Sequence, residues 1–170
     1  MKITQKLAAL RKYMQDAQID ACIVPISDPH LSEYQPSHWR VLEWLSGFTG
    51  SSGTVVVTAE SAGLWTDSRY FLQAGDELNG SGIDLFKVGL PDTPAFIDWL
   101  NSTLPAGATV GLDGRLFSAA QVDDFVQSLA IGEIAVNIDF DPFPVIWNDR
   151  PGLPSNPLFV YSEHYAGKST

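Results

Sequence analysis

A histidine, a carboxylate and a phenol fall together in the segment His30–Tyr34, shortly after an apolar run. Loops that follow the strands of an α/β sheet are the usual place for ligand-binding groups. These side chains could therefore be offered to a substrate or to the active site of a partner domain. The alternative is a solvated turn in which Glu33 lies in the first turn of a helix and interacts favourably with its dipole. The residues alone favour the turn.

Polar residues are denser in Trp65–Phe71, where the pattern predicts that a strand ends and a helix begins. Asp67 suits the N-cap of that helix, because its carboxylate can accept hydrogen bonds from the first backbone N–H groups. Arg69 has two interpretations that the residues support equally, pairing with a carboxylate or contact with a ligand. The aromatic residues of this segment, Trp65 and Phe71, are predicted to lie in the core.

The glycine- and serine-rich segment Gly47–Gly53 invites comparison with a phosphate-binding loop. Such a loop follows a strand, opens a helix and ends in Gly-Lys-Ser/Thr. This segment is predicted to join a helix to a strand, and it contains no lysine. A tight connection is the better interpretation.

Metal chemistry has little support in the sequence. The histidines, which form no His-x-x-x-His pair, are His30, His38 and His164. The carboxylates near predicted strand ends are Asp67, Asp84, Asp113 and Asp139. A two-metal carboxylate cluster is conceivable there, but acidic residues at strand ends commonly form caps and turns. No Gly-x-Ser-x-Gly motif supports a serine nucleophile. The residues alone therefore favour caps and turns over a metal cluster, and they name no reaction.

The elements that must position these side chains alternate between helical and extended patterns. Apolar residues at helical spacing predict an opening helix from Ile3 to Met14, and Gly47 and Gly75 are expected to end two later helices. Thr93 and Pro94 are predicted to start another helix, and Ser118 with Gln121 forms a capping box. Strands are predicted at Ala21–Ile26, Thr54–Thr58, Ala62–Thr66, Ile83–Val88, Thr109–Leu112 and Ile134–Ile138. This order predicts an α/β domain with a mixed β-sheet flanked by helices.

Composition excludes several classes of protein. Hydrophobic residues make up 45% of the 170 residues, which argues against disorder. The net charge of -10 argues against a nucleic-acid partner. The single cysteine, Cys22, lies in an apolar run and is predicted to be a buried, unreactive residue. With no signal sequence and no run of about 20 apolar residues, we expect no membrane association and a cytoplasmic location.

The sequence predicts one long domain followed by two short segments. Residues 1–141 are predicted to form the body of the domain. Five of the 11 prolines fall between positions 142 and 157, which predicts an interdomain linker there. Residues 158–170 are expected to be the start of a truncated second domain, opening with a strand at Leu158–Tyr161.

Several of these segments resemble the first domain of cytosolic, three-domain Xaa-Pro aminopeptidases, in the peptidase family that includes creatinase and prolidase. The resemblance runs in register along the whole chain. The segments that carry it are Ile23–Pro25, Asp28–Tyr34, Leu45–Thr54, Leu64–Ala74, Trp147–Pro151, Pro157–Leu158 and Tyr165–Gly167. Two positions depart from the pattern: Thr49 stands where many relatives carry aspartate, and Ser68 where they carry glycine.

The resemblance implies a creatinase N-terminal, ribonuclease-H-like fold. It also implies a parent metallo-aminopeptidase that removes the first residue of a peptide whose second residue is proline. Two divalent metal ions, expected to be manganese, would belong to a C-terminal catalytic domain beyond this chain. The partners implied are that domain, a middle domain, the peptide substrate and, for the full-length protein, a second copy in a homodimer.

By resemblance, this domain is non-catalytic, contains no catalytic residue and no metal ligand, and shapes the entrance to the active site. Glu33 is the residue expected to reach that site and to hold the free ammonium end of the substrate, and His30 and Arg69 are further candidates on the same surface. A patch that includes Trp39, Trp147 and Phe159 is expected to dock against the missing domains. Two alternatives remain open: a free-standing interaction module and a two-metal carboxylate hydrolase.

Overall fold

A computed structural model describes residues 1–168 as a sheet with helices on both faces. The helices are α1 Ile3–Asp16, α2 Val41–Ser46, α3 Phe71–Glu77, α4 Phe96–Thr103, α5 Ala119–Leu129, α6 Phe143–Ile146 and α7 Glu163–Ala166. The strands are β1 Ala21–Pro25, β2 Thr54–Thr58, β3 Ala62–Thr66, β4 Asp84–Lys87, β5 Thr109–Leu112 and β6 Ala135–Asn137. The predicted mixed sheet flanked by helices is confirmed.

The six strands lie in the order β4-β3-β2-β1-β5-β6. β2 is antiparallel to both neighbours, whereas β1, β3, β4, β5 and β6 run in one direction. Cys22 in the central strand β1 pairs with Val57 on one side and Gly111 on the other. Because five strands are parallel, their carboxyl ends meet at one edge of the sheet, together with the amino end of β2.

Each face of the sheet is covered by a different set of helices. Side chains of α1, α2, α3 and α6 form one core with one face of the central strands, including Leu7, Leu45 and Ala74. Leu100 of α4 and Leu129 of α5 form a second core with the opposite face. Burying a leucine side chain contributes roughly 1.5–3 kcal/mol, so these two apolar layers are the main source of stability.

Two predicted helix boundaries are wrong. Gly75 lies inside α3, which continues to Glu77. Thr93 and Pro94 do not start α4, which begins at Phe96 after Ala95. The carbonyl oxygen of Pro94 accepts a hydrogen bond from Trp65 Nε1 at 2.9 Å. The proline therefore belongs to a loop tied to β3, a long-range contact that local spacing does not reveal.

The start of the proline-rich stretch packs on the body of the domain. Phe143, Ile146 and Trp147 belong to the same core as α1 and α2. Trp147, expected in an exposed docking patch, is only 8% exposed and stacks on Trp44 with 5.1 Å between ring centroids, so its place in that patch was wrongly predicted. Residues 152–168 are exposed, and the expected strand at Leu158–Tyr161 is not formed. The division into body, linker and second domain stays a prediction.

Candidate functional site

The predicted site residues lie in loops at the carboxyl edge of the parallel strands. His30 and Glu33 follow β1, and Arg69 follows β3. The glycine-rich segment that precedes β2 reaches the same edge. In open α/β sheets this edge is where ligands bind, so the topology places all three candidates on a surface suited to binding.

Asp28 fixes the first half of the loop after β1. Its side chain belongs to a residue that is 1% exposed, and Oδ1 accepts hydrogen bonds from the backbone N–H groups of His30 at 2.8 Å and Ser32 at 3.0 Å. Burial alone would raise the pKa of Asp28, but hydrogen bonds from Ser32 and His30 outweigh it, so the pKa lies below its ordinary value. The ionised carboxylate thus shapes the backbone that leads to Glu33.

Glu33 is exposed and lines a pocket of about 320 Å³. The pocket is also lined by Phe48, Arg40 and Glu43. Arg40 is 3.7 Å from Glu43 and forms an ion pair with it. Within residues 1–168 no lysine, arginine or histidine lies within salt-bridge distance of Glu33, so its carboxylate is available to a cation from outside.

Arg69 pairs with a carboxylate, the first of its two predicted interpretations. Nε of Arg69 donates to Oδ1 of Asp67 at 2.9 Å, and Nη2 donates to Oδ2 at 2.8 Å. Asp67 also accepts the backbone N–H of Arg69 at 3.1 Å, so its predicted capping role is confirmed. The side-chain hydrogen bonds from Arg69, with a further one from Ser52, hold the pKa of Asp67 well below its usual range.

Ser51 connects the pocket that contains Glu33 to the residue that follows Arg69. Ser51 lines the Glu33 pocket, and its hydroxyl is 2.7 Å from the hydroxyl of Tyr70, the residue after Arg69. This hydrogen bond from Ser51 lowers the pKa of Tyr70. His30 is exposed and lines neither this pocket nor the crevice described next. Arg69 likewise lines neither of them, so of the three predicted residues Glu33 lies in this pocket and the other two do not.

A larger crevice of about 600 Å³ lies at the same edge, between the loops that follow β1, β3 and β5. Trp65, Phe117 and Phe125 contribute its apolar wall, and Asp67 lies on its rim. Successive strands are added in opposite directions on either side of this point, which is the arrangement that forms crevices in open α/β sheets. The sequence analysis did not predict this crevice, because the crevice depends on the order of the strands in the sheet.

The sequence interpretation also missed a second copy of the Asp67–Arg69 arrangement. After β5, Asp113 accepts the backbone N–H of Arg115 at 3.1 Å and binds its guanidinium through both carboxylate oxygens, at 2.8 and 2.7 Å. Arg115 also donates to Asp141 at 2.6 Å. The signal was present as Asp-x-Arg-x-Phe, which occurs at residues 67–71 and again at 113–117.

The strand-end aspartates do not form a metal centre. Among residues 1–168, no three side chains of histidine, cysteine, aspartate or glutamate lie close enough together to hold a metal ion. Asp67 and Asp113 are each occupied by an arginine. The described residues therefore do not fit the two-metal site that the resemblance places in a catalytic domain.

Among the helices of residues 1–168, none combines the length and apolar character that a membrane span needs.

A family model described as the creatinase/prolidase N-terminal domain matches residues 6–143. The chain therefore belongs to the creatinase/prolidase N-terminal domain family, as its sequence resemblance predicted.

Similar proteins are several times longer than this chain. It is 39% identical to Probable Xaa-Pro aminopeptidase P from Neurospora crassa, over 98% of this chain and 25% of that protein. It is 38% identical to Aminopeptidase P2 from Arabidopsis thaliana, over 97% of this chain and 24% of that protein. The chain thus spans about a quarter of the length of the curated relatives it matches.

A solved structure supports the fold along nearly the whole chain. It is an X-prolyl aminopeptidase from Caenorhabditis elegans, described as a cytosolic enzyme with a di-nuclear active site. Its similarity to this chain has a TM-score of 0.89 and 33% identity, and covers 99% of this chain and 29% of that one. The described helices and strands therefore have a counterpart in a related protein of known structure.

Proposed function

We propose that this chain is the non-catalytic N-terminal domain of an Xaa-Pro aminopeptidase, which shapes the entrance to the active site and admits peptides with proline at position 2. The main support for the proposal is that this chain is 39% identical to a probable Xaa-Pro aminopeptidase P. That similarity extends over nearly all of this chain and a quarter of the relative's length. Peptide-bond cleavage and its two divalent metal ions, proposed to be manganese, then belong to a catalytic domain of the parent protein, with a middle domain in between.

Glu33 has the chemistry to bind the free amino end of the substrate. Its carboxylate is exposed in a pocket and lacks a cationic partner among residues 1–168. The α-amino group of a peptide is an ammonium ion near neutral pH. A charge-assisted hydrogen bond between the two groups would select peptides with an unblocked first residue, and it strengthens where water is excluded. His30 and Arg69 are proposed for the same surface, with Arg69 acting as part of an ion pair rather than as a free cation.

The kinetics of a Glu33→Gln variant of the full-length protein test this proposal. We expect kcat/KM for a peptide with proline at position 2 to fall at least tenfold, about the loss of one charge-assisted hydrogen bond. The discrimination against an N-acetylated peptide should shrink at the same time. Glu43→Gln is the matched control, because Glu43 lines the same pocket but is paired with Arg40. Near-normal turnover by Glu33→Gln would refute the role of Glu33.

A manganese titration of this chain separates the proposal from the two-metal hydrolase. We expect no stoichiometric binding by calorimetry, since the strand-end aspartates are held by arginines. Tight binding of one or two ions per chain would favour the hydrolase instead. The cytoplasmic location and the homodimeric parent protein remain parts of the proposal, and sedimentation of the full-length protein tests the second.

A further inference from the structure

The chain leaves the body of the domain beside the loop that carries Glu33. Nε of Arg150 donates to the backbone carbonyl of His38 at 3.0 Å. In the opposite direction, Nδ1 of His38 lies 2.7 Å from the backbone carbonyl of Pro151. A carbonyl oxygen can only accept, so Nδ1 of His38 carries a proton. We call this pair of hydrogen bonds, formed by His38, Arg150 and Pro151, the exit clasp.

The guanidinium of Arg150 is enclosed by the domain. Its side chain is 8% exposed, and Nη1 is 3.8 Å from a carboxylate oxygen of Asp141. The ring centroids of Trp39 and Trp147 lie 5.5 and 5.9 Å from the central carbon of the guanidinium. Burial lowers the pKa of Arg150 and Asp141 partly opposes this, but an arginine stays charged in proteins. Cation–π contacts and directed N–H groups give this contact a more defined geometry than a surface ion pair has.

The exit clasp fixes one end of the Glu33 loop, and Asp28 fixes the other. Asp28 holds the backbone at His30 and Ser32, whereas the exit clasp holds the short helical turn Ser37–Trp39. Glu33 lies midway between Asp28 and His38 in the sequence. The loop from Asp28 to His38 therefore carries Glu33 and also binds Pro151, so it links the positions of these two residues.

We infer that the exit clasp is a positioning device, which sets where the polypeptide beyond Pro151 begins relative to Glu33. Arg150 acts through its contacts with His38, Asp141 and the two tryptophans, and is a positioning residue. The inference rests on the proposed function for the role of Glu33, but the coupling between the loop and the exit of the chain does not depend on that role.

Nuclear magnetic resonance on this chain tests the coupling from both sides. Arg150→Met is read at the backbone N–H groups of residues 33–39 other than Pro36, and His38→Leu is read at those of residues 148–152 other than Pro151. We expect order parameters typical of rigid backbone, about 0.85, to fall below about 0.6 in both segments. The ring-nitrogen shifts of His38 should also lose the signature of a single Nδ1–H tautomer in Arg150→Met. Unchanged order parameters at residues 33–39 in Arg150→Met would overturn the inference.

Arg11→Met is the matched control. Nε of Arg11 donates to the backbone carbonyl of Thr58 at 2.9 Å, the same chemistry at the opposite edge of the sheet. Burial lowers the pKa of Arg11 as it does that of Arg150. This variant should lose stability while residues 33–39 stay rigid. Loosening of those residues in Arg11→Met as well would show a general loss of packing and would count against the exit clasp.

Kinetics of the full-length protein separate this inference from the proposed function. Arg150→Met should lower kcat/KM for a peptide with proline at position 2 by about tenfold or more, because small misplacements of a binding group are costly. Arg11→Met should leave it near the wild-type value. If Glu33→Gln has no effect, the proposed role of Glu33 fails while the coupling can still hold. If Glu33→Gln impairs turnover and Arg150→Met changes neither turnover nor order parameters, the exit clasp alone fails.

Discussion

Asp67 binds the guanidinium of Arg69 through both carboxylate oxygens, at 2.9 and 2.8 Å, and accepts the backbone N–H of the same residue. The aspartate thus does two things at once, since it caps the turn after β3 and orients an exposed arginine. Asp113 does both for Arg115 after β5. The domain therefore presents two arginines at one edge of its sheet, each neutralised by an aspartate two residues earlier.

We predict that removing the aspartate destabilises the domain more than removing the arginine. Asp67→Ala loses the cap as well as the ion pair, whereas Arg69→Gln loses only an exposed ion pair, and exposed pairs contribute little. The midpoint of urea unfolding should therefore fall further for Asp67→Ala. In the second pair, Arg115→Gln also loses the hydrogen bond to Asp141, so the difference from Asp113→Ala should be smaller. Equal losses for Asp67→Ala and Arg69→Gln would mean that the cap is unimportant.

We also predict a pH-dependent contribution from Asp28. Its folded pKa lies below the unfolded value because the backbone amides of Ser32 and His30 favour the ionised form despite burial. Its contribution is therefore complete above the unfolded pKa, about 3.9, and is lost as the pH falls through the folded pKa. The difference in unfolding free energy between wild type and Asp28→Asn should be largest near neutral pH and shrink in acid. A difference that does not vary between pH 2 and pH 7 would contradict this.

Local patterns predicted most of the elements because the signals are short-range. The β-branched run Thr54–Thr58 and its partner Ala62–Thr66 form the expected hairpin. Gly47 ends α2 in a left-handed conformation that glycine adopts freely, and Ser118 and Gln121 form the expected capping box. In each case the deciding contacts lie within a few residues, so the sequence alone contains the information.

The errors occur where a distant residue decides the outcome. Pro94 looks like the first residue of a helix, but its carbonyl is hydrogen bonded to Trp65. Trp147 looks exposed in a proline-rich stretch, but it stacks on Trp44. The exit clasp joins residues 112 positions apart. The location of Glu33 followed from the loop after β1, whereas its pocket and its fixed neighbours followed only from the folded chain.

Glycine at position 50 is predicted to be required by packing. A Cβ atom there would lie 2.2 Å from a ring carbon of Phe48 and 2.8 Å from one of Tyr70. These rings pack edge to face, and Phe48 lines the Glu33 pocket. Gly50→Ala should therefore cost about 1–3 kcal/mol of unfolding free energy through overpacking. Gly75→Ala is the control, since nothing lies within 4 Å of its added Cβ and it sits in α3.

The control variant Gly75→Ala should have a higher unfolding free energy than wild type, whereas Gly50→Ala should have a lower one. Alanine is favoured over glycine within a helix by about 0.5–1 kcal/mol, so Gly75→Ala should stabilise the domain. Thermal or urea unfolding of the two variants measures both effects. If Gly50→Ala unfolds with the wild-type midpoint, the loop before β2 adapts to the added methyl group and does not constrain the pocket.

The last prediction concerns Thr49, which precedes the Gly50–Gly53 segment. Its hydroxyl donates to Oε1 of Glu77 at 2.6 Å, and its backbone N–H donates to Oε2 at 2.9 Å. Burial raises the pKa of Glu77, but the hydrogen bonds from Thr49 and Gln73 outweigh it and lower the pKa. In Thr49→Asp, a second carboxylate would replace a donor beside Glu77.

Two adjacent carboxylates raise the pKa of one of them, because they cannot both ionise freely. A group whose folded pKa is raised contributes stability below its unfolded pKa and loses it as the pH rises through the folded pKa. Thr49→Asp should therefore be most destabilised relative to wild type near pH 7 and less so near pH 4. Thr49→Asn matches the size without the charge, and Glu77→Gln in the Thr49→Asp background should restore stability at pH 7. If Thr49→Asp and Thr49→Asn differ by the same amount at both pH values, charge repulsion is not the cause and Glu77 does not discriminate against an acid at this position.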